Sequence, residues 1–272
     1  MIRWWSVALI ATLGAPPPKP VYEAYAIRYA TLADFPLRAL VLGADSAATA
    51  DIAMMVWLLK GEGRVMLVDA GFYRQEFLDA WKQLRDFVKP SDAVARAGVT
   101  PDQVTDIVVS HLHWDHADGV DLFPKARVWV QRREFEFYLD SVNQRRTGVF
   151  PVDIAMLKRV QAAGRLRLVE GDSQAVAPGV FVYTGGRHTK ESQYVSAPIE
   201  GATAVIASDN LYLYQNLDRR RPIAATWDTT SNLAAQERML RLAGGPRLVV
   251  PGHDALVFTR FREVVPGVAR IR

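Results

Sequence analysis

The apolar positions of this chain fall into short runs, some alternating with polar residues and some recurring every three or four, as expected of strands interleaved with helices. Residues 21–42 predict strands, interrupted at Asp34-Phe35-Pro36, and the Ala- and Ser-rich stretch 45–51 predicts a loop. Residues 54–59 and 64–68 flank Gly61-Glu62-Gly63, a spacing that predicts a β-hairpin with a glycine-containing turn. Between residues 72 and 88, Phe77, Leu78, Trp81, Leu84 and Val88 recur at helical spacing, which predicts a helix with these residues in the core. Thr100-Pro101-Asp102-Gln103 places an N-cap residue before a proline at the first helical position. That short helix leads into an apolar strand, Asp106-Ile107-Val108-Val109-Ser110.

Further strands are predicted over residues 126–130, 165–169, 180–183, 194–197, 202–207 and 247–250. Helices are predicted over 132–140, 152–163 and 232–243, the last burying Leu233, Met239, Leu240 and Leu242, and residues 141–151 predict a loop. No short repeat recurs at a fixed period. The halves 21–170 and 171–260 are each strand-rich with helices.

At 272 residues, half of them apolar, the chain can bury a sizeable core as one large domain or two small ones, and residues 21–272 are read as one. The net charge of +4 is mild, and the basic groups Arg132-Arg133, Arg145-Arg146 and Arg219-Arg220-Arg221 are scattered without interleaved aromatics, which argues against a nucleic-acid partner. The absence of cysteine excludes disulfides and thiolate metal sites and leaves the compartment open. Residues 1–15 combine Arg3, an apolar segment and small residues Thr12 and Gly14, the composition of a secretory signal peptide too short to span a bilayer as a mature helix. Residues 16–20, PPPKP, predict an extended linker. This places the protein in the periplasm or outside the cell. An uncleaved tether or a buried N-terminal strand is the alternative, and without export the protein is cytoplasmic.

The chemistry concentrates in His111-Leu112-His113-Trp114-Asp115-His116, at the end of the 106–110 strand. Three imidazoles beside a carboxylate would repel below about pH 6.5 unless a ligand organised them, and the His-x-His spacing lets two rings meet one ion. The other two of the five histidines, His188 and His253, also lie in Gly- or Pro-flanked loops after apolar runs.

The HxHxDH cluster, Val68-Asp69-Ala70-Gly71, His188, Ser208-Asp209-Asn210 and Pro251-Gly252-His253 resemble, in order and rough spacing, the motifs of the metallo-β-lactamase superfamily. The likeness runs from about residue 56 to 253, and Asp209 followed by Tyr212 is similar to the N-acyl homoserine lactonase branch. The resemblance implies an α/β (α+β) four-layer αββα sandwich, with metals at one edge between two sheets. It implies two divalent ions: His111, His113 and His188 on the first, Asp115, His116 and His253 on the second, and Asp209 bridging them. Imidazole and carboxylate ligands suit zinc, the leading expectation, and equally iron, manganese or cobalt, among which the sequence does not select.

Such a pair of ions, about 3.5–4 Å apart, would hold a bridging hydroxide as nucleophile near neutral pH. The implied reaction is hydrolysis of a lactone ester, with an N-acyl homoserine lactone as the plausible quorum-quenching substrate. Asp115 would pass a proton to the leaving alkoxide, and Tyr212 would donate to the oxyanion, unless it is packing material. Asp69 would accept from a ligand histidine and fix its tautomer, unless it only caps a turn. Trp114 would line the pocket floor or pack beneath it rather than react. Met54, Met55, Trp57, Phe150 and Trp227 are candidates for an acyl pocket, though core packing explains each of them better.

The family's Gly-His-x-Pro-Gly-His is here Arg187-His188-Thr189-Lys190-Glu191-Ser192, so Arg187 replaces a glycine and Ser192 a histidine. The alternatives are a β-lactamase-like amide hydrolase, another ester or phosphodiester hydrolase of the fold, or a non-catalytic metal binder. For partners the expectation is a small-molecule lactone, no nucleic acid, no stable membrane insertion of the mature domain, and a homodimer as one assembly open to it.

Overall fold

A computed structural model describes residues 19–145 and 147–272. The expectations for residues 1–15 and for most of the 16–20 linker lie outside the described residues. The larger sheet contains β1 (Glu23–Pro36), β2 (Thr49–Gly61), β3 (Arg64–Val68), β4 (Leu84–Arg85), β5 (Asp106–Val108), β6 (Arg127–Gln131) and β7 (Leu166–Val169). The smaller contains β8 (Gln174–Ala177), β9 (Val180–Tyr183), β10 (Tyr194–Ile199), β11 (Ala202–Ser208) and β12 (Val249–Pro251). The chain then returns to the larger sheet with β13 (Glu263–Val265) and β14 (Val268–Ile271), the latter pairing antiparallel with β1.

Strand alternation builds the layers. On β2, Ala53, Met55, Trp57 and Leu59 face the inter-sheet core, where they meet Val180, Val182, Val195 and Ile206 of the smaller sheet. Met54, Val56 and Leu58 face the opposite way, into a core shared with the helices Pro90–Ala95 and Pro151–Ala162. The outer side of the smaller sheet is covered by the helix Thr229–Ala243 through Ala235 and Met239. The result is the expected αββα sandwich. Each fully buried aliphatic side chain contributes roughly 1.5–3 kcal/mol.

Parallel strands deliver the loops of interest. β3, β5, β6 and β7 run parallel, as do β11 and β12, so Asp69, the 111–116 cluster, Asp209 and His253 all leave C-terminal strand ends. Loops at such ends are where open α/β sheets hold ligands. Gly252 permits the approach of the last two: a Cβ there would lie 2.7 Å from the Ser208 backbone and 2.8 Å from Asp209 Oδ1.

Several local expectations are corrected. The helix expected over 72–88 is only Gln75–Ala80, and the chain then turns to pair Leu84–Arg85 with β1. Trp81 reaches the core by stacking on Trp114 at 5.9 Å, and Phe77 stacks on the same indole at 4.9 Å. The apolar spacing is thus satisfied by aromatic packing after the helix has ended. The strands expected over 21–42 are one long bulged strand, Glu23–Pro36, uninterrupted at Asp34-Phe35-Pro36, followed by a helical turn at Leu37–Ala39. Ser141–Arg145 is a short helix within the expected loop, and β8 was not expected. The helix Thr229–Ala243 buries Asn232, Ala235, Gln236 and Met239, while Leu233, Leu240 and Leu242 are only partly covered. No helix among the described residues is long and apolar enough to cross a membrane.

Candidate metal centre

Loops from both sheets bring all five histidines and two aspartates to one point. Nδ1 of His113 lies 3.0 Å from Nε2 of His111 and 2.9 Å from Nε2 of His188. Two nitrogens each 2.0–2.1 Å from a tetrahedral ion sit about 3.3 Å apart, so this trio has the spacing of a zinc-type site. Beside it, Nε2 of His116 and of His253 lie 3.4 and 3.7 Å from Asp115 Oδ2. Asp209 divides its carboxylate between the two groups. Oδ2 faces His188 and His111 at 3.4 and 3.7 Å, and Oδ1 faces His253 and His116 at 3.0 and 3.2 Å.

Three of the rings have a carboxylate or carbonyl partner on their far side. Asp69 Oδ2 lies 2.8 Å from His116 Nδ1, and this carboxylate also accepts from the Ser110 amide and from both the Ser110 and Ser208 hydroxyls. His188 Nδ1 faces the Ala225 carbonyl at 2.8 Å, and His253 Nδ1 the Ala53 carbonyl at 3.1 Å. A carbonyl can only accept, so both rings carry their proton on Nδ1 and turn a bare Nε2 inward.

Charge is divided unequally. Burial, reinforced by the neighbouring His188, pushes His113 down to about 3, and burial with His116 pushes His111 well below its ordinary value. His116 goes the other way: burial opposes its charge, but Asp209, Asp115 and Asp69 raise it well above the usual range. Burial would raise Asp209, yet His116 and His253 hold its carboxyl well below the usual range.

The residues fit a pair of cations. Ligand atoms of His111, His113, His188 and Asp209 lie within 4.8 Å of one another, and so do those of Asp115, His116 and His253. His116 Nε2 and Asp209 Oδ1 are buried without a hydrogen-bond partner among the described residues. An unmade buried bond costs about 1–3 kcal/mol, which coordination would remove.

The departures from the family motif have local solutions. Ser192 Oγ accepts from the His188 amide at 3.1 Å and donates to Asn210 Oδ1 at 2.6 Å, tying the His188 loop to the turn that carries Asp209. Arg187 sits at φ 56°, left-handed backbone that a glycine adopts without cost.

A cleft of about 210 Å³ opens over both ligand groups, reaching His113, His188 and Asp209 as well as Asp115 and His253. Leu32, Phe35, Leu40, Ile52, Met54, Trp81 and Trp114 form its apolar wall, and Tyr212 stands at its inner end. Trp114 therefore lines the pocket as expected. Of the other acyl-pocket candidates only Met54 belongs. Met55 and Trp57 point between the sheets, Phe150 packs edge-on to Phe77 at 4.9 Å, and Trp227 lies against Phe137, where it lines a separate pocket that reaches His113 and His188. The Tyr212 hydroxyl is 3.3 Å from His188 Nδ1, and burial with the Asp209 and Asp115 carboxylates pushes its phenol well above 10, so it remains a donor. Tyr214 turns into the inter-sheet core beneath Arg260.

Glu134, Gln193 and Asn210 were missed as parts of the site. All three are buried beside the ligand loops, and the only sequence signal for them was a polar residue next to an apolar strand or a motif aspartate.

An N-acyl homoserine lactonase of Bacillus thuringiensis is 26% identical over 161 residues, 58% of this chain. The match spans 59% of that relative's length. An N-acyl homoserine lactonase of a Bacillus species is 25% identical over 220 residues, 75% of this chain and 82% of that protein. The crystal structure of a quorum-quenching N-acyl homoserine lactone lactonase superposes with a TM-score of 0.74 at 21% identity, covering 91% of this chain and 98% of that one. A probable metal-dependent hydrolase from Staphylococcus aureus superposes at 0.71 and 16% identity, covering 87% and 91%. At these identities the structural likeness shows the fold alone. The family model of the metallo-β-lactamase superfamily matches residues 54–253, from the cleft-lining Met54 to the last ligand-type histidine, and the chain belongs to that superfamily.

Proposed function

We propose that this protein is a dinuclear metal-dependent hydrolase that opens the ester ring of lactones, with N-acyl homoserine lactones as the leading substrates and zinc as the leading ion. The observation that carries the reading is the divided carboxylate of Asp209, each oxygen aimed at a different histidine group, at the inner end of an apolar cleft. The 26%-identical relative is itself named as an N-acyl homoserine lactonase, which supports the substrate class.

His111, His113 and His188 would hold one ion, Asp115, His116 and His253 the other, and Asp209 both. When bound, such a pair supplies a nucleophile near neutral pH and polarises the substrate carbonyl. The protein's own groups account for the rest. The cleft wall from Leu32 to Trp114 takes the acyl chain and excludes water. Tyr212 donates its hydroxyl to the oxygen on which charge develops. Asp115, the less buried of the two aspartates, takes up the proton released by the attacking water and hands it to the alkoxide oxygen as the ester C–O bond breaks.

The test is proton release from a series of N-acyl homoserine lactones by zinc-loaded protein. A kcat/KM above about 10⁴ M⁻¹s⁻¹, the lower end of ordinary enzyme efficiency, would support the reading. Inert lactones with turnover of a β-lactam or a phosphodiester would overturn the substrate and reassign the reaction.

A further inference from the structure

Glu134 is 1% exposed, and no lysine or arginine among the described residues forms an ion pair with it. It projects from the short helix Arg132–Phe137 that follows β6. Its carboxylate is held by three hydrogen bonds: Oε1 accepts from the Leu112 amide at 3.2 Å and the Thr189 hydroxyl at 2.7 Å, and Oε2 from the Glu191 amide at 2.7 Å. Leu112 separates His111 from His113 on the larger sheet. Thr189 and Glu191 directly follow His188, on the loop from the smaller sheet. One buried carboxylate therefore clamps the two loops that converge, 2.9 Å apart, at His113 Nδ1 and His188 Nε2. Burying a carboxylate costs free energy unless hydrogen bonds satisfy it. Here all the compensating bonds come from ligand-bearing loops.

We infer that Glu134 is a positioning residue that sets the spacing of the three-histidine metal position without touching the metal. The inference rests on the metal-binding part of the proposed function and on none of its substrate assignment. It separates the two metal positions, because His116 and His253 are held by Asp69 and Ala53 and have no bond to Glu134.

The experiment is competition of Zn²⁺ against a chromophoric chelator in wild type, Glu134→Ala, Glu134→Gln and Thr189→Val. His188→Ala and His253→Ala identify which binding step belongs to which position. Partners that hold ligands in place contribute 10–100-fold to metal affinity. Glu134→Ala should accordingly weaken the three-histidine step by roughly that factor and leave the His253 step near wild type. Glu134→Gln should fall between, since its amide keeps one acceptor but turns N–H toward the Glu191 amide. Thr189→Val, losing one bond of three, should weaken the step least. Unchanged zinc affinity in folded Glu134→Gln and Thr189→Val would overturn the inference. So would equal weakening of both steps with a lowered melting temperature of the metal-free protein, which marks a general structural role. Because no lactone is used, failure of the lactonase reading leaves this result standing.

Discussion

Ser208 donates its hydroxyl to Asp69 Oδ2 at 2.8 Å, joining the end of a strand in one sheet to the end of a strand in the other. Both residues have left-handed backbone, φ 47° and 60°, a conformation that costs a non-glycine residue of order 1 kcal/mol or more. The strain is tolerated because the turns aim Asp69 at His116. Asp69→Ala should remove the acceptor on His116 and weaken the metal position with His253 by roughly 10–100-fold. Asp69→Asn, which keeps one acceptor and tolerates this backbone, should lose less. Metal content after dialysis against chelator checks both, and full occupancy in Asp69→Ala would reduce Asp69 to a turn residue.

Asp209→Ala should lower metal content from two ions per chain toward one and nearly abolish turnover. Its two oxygens are the shared contact between the histidine groups, 3.0–3.7 Å from four of the five rings. Elemental analysis together with the proton-release assay measures both effects. A variant retaining two ions and full activity would rule out bridging.

Tyr212→Phe should cut kcat by roughly 10²-fold, the scale for removing one oxyanion donor, with metal content unchanged. Tyr212 lines the cleft together with His188, its hydroxyl 3.3 Å from His188 Nδ1. KM should move little, because the donor acts on charge that develops only during reaction. An unaltered kcat would assign Tyr212 to packing.

The candidate cluster, which the fold does bring together, was legible in the sequence because its chemistry is compressed: four ligand-type residues in six positions, and a chain with no histidine elsewhere than at strand ends. The sandwich came through resemblance, since periodicity carries no information on which sheet faces which. Core packing, the role favoured for the acyl-pocket candidates, holds for Met55 and Trp57 while Met54 also reaches the cleft, for a simple reason. Met54 and Met55 are neighbours in sequence but lie on opposite faces of β2, so the strand's alternation sends one toward the site and the other between the sheets. The 72–88 stretch failed for another: Trp81 finds its partner in Trp114, an aromatic some thirty residues distant, and that contact outweighs helix propensity. Glu134 was invisible because nothing local marks a surface-type residue that folding will bury.

The pH dependence of stability should carry the signature of Asp153. This residue lies on the helix Pro151–Ala162 and meets Arg74 Nη1 at 3.1 Å. Arg74 also pairs with Asp118, two residues past His116, and with Asp121, so one guanidinium faces three carboxyls and anchors the ligand loop to the helix. Burial pushes the Asp153 carboxyl up to about 7 against the opposing pull of Arg74, and its Oδ2 has no partner among the described residues. A group with a raised folded-state pKa takes up its proton more readily in the native state. Its stabilising contribution is therefore complete below about pH 4 and is lost as pH rises through 7. Asp153→Asn stays neutral throughout and lacks this loss. The melting temperature of Asp153→Asn minus that of wild type should climb between about pH 4 and 7 and level off above 7, by roughly 2–4 °C for each 1 kcal/mol involved in a chain of this size. Any constant offset from the changed contact with Arg74 drops out of the slope. A difference flat with pH would mean that Arg74 keeps Asp153 ionised and that the strain of three carboxyls on one guanidinium falls on Asp118 or Asp121 instead.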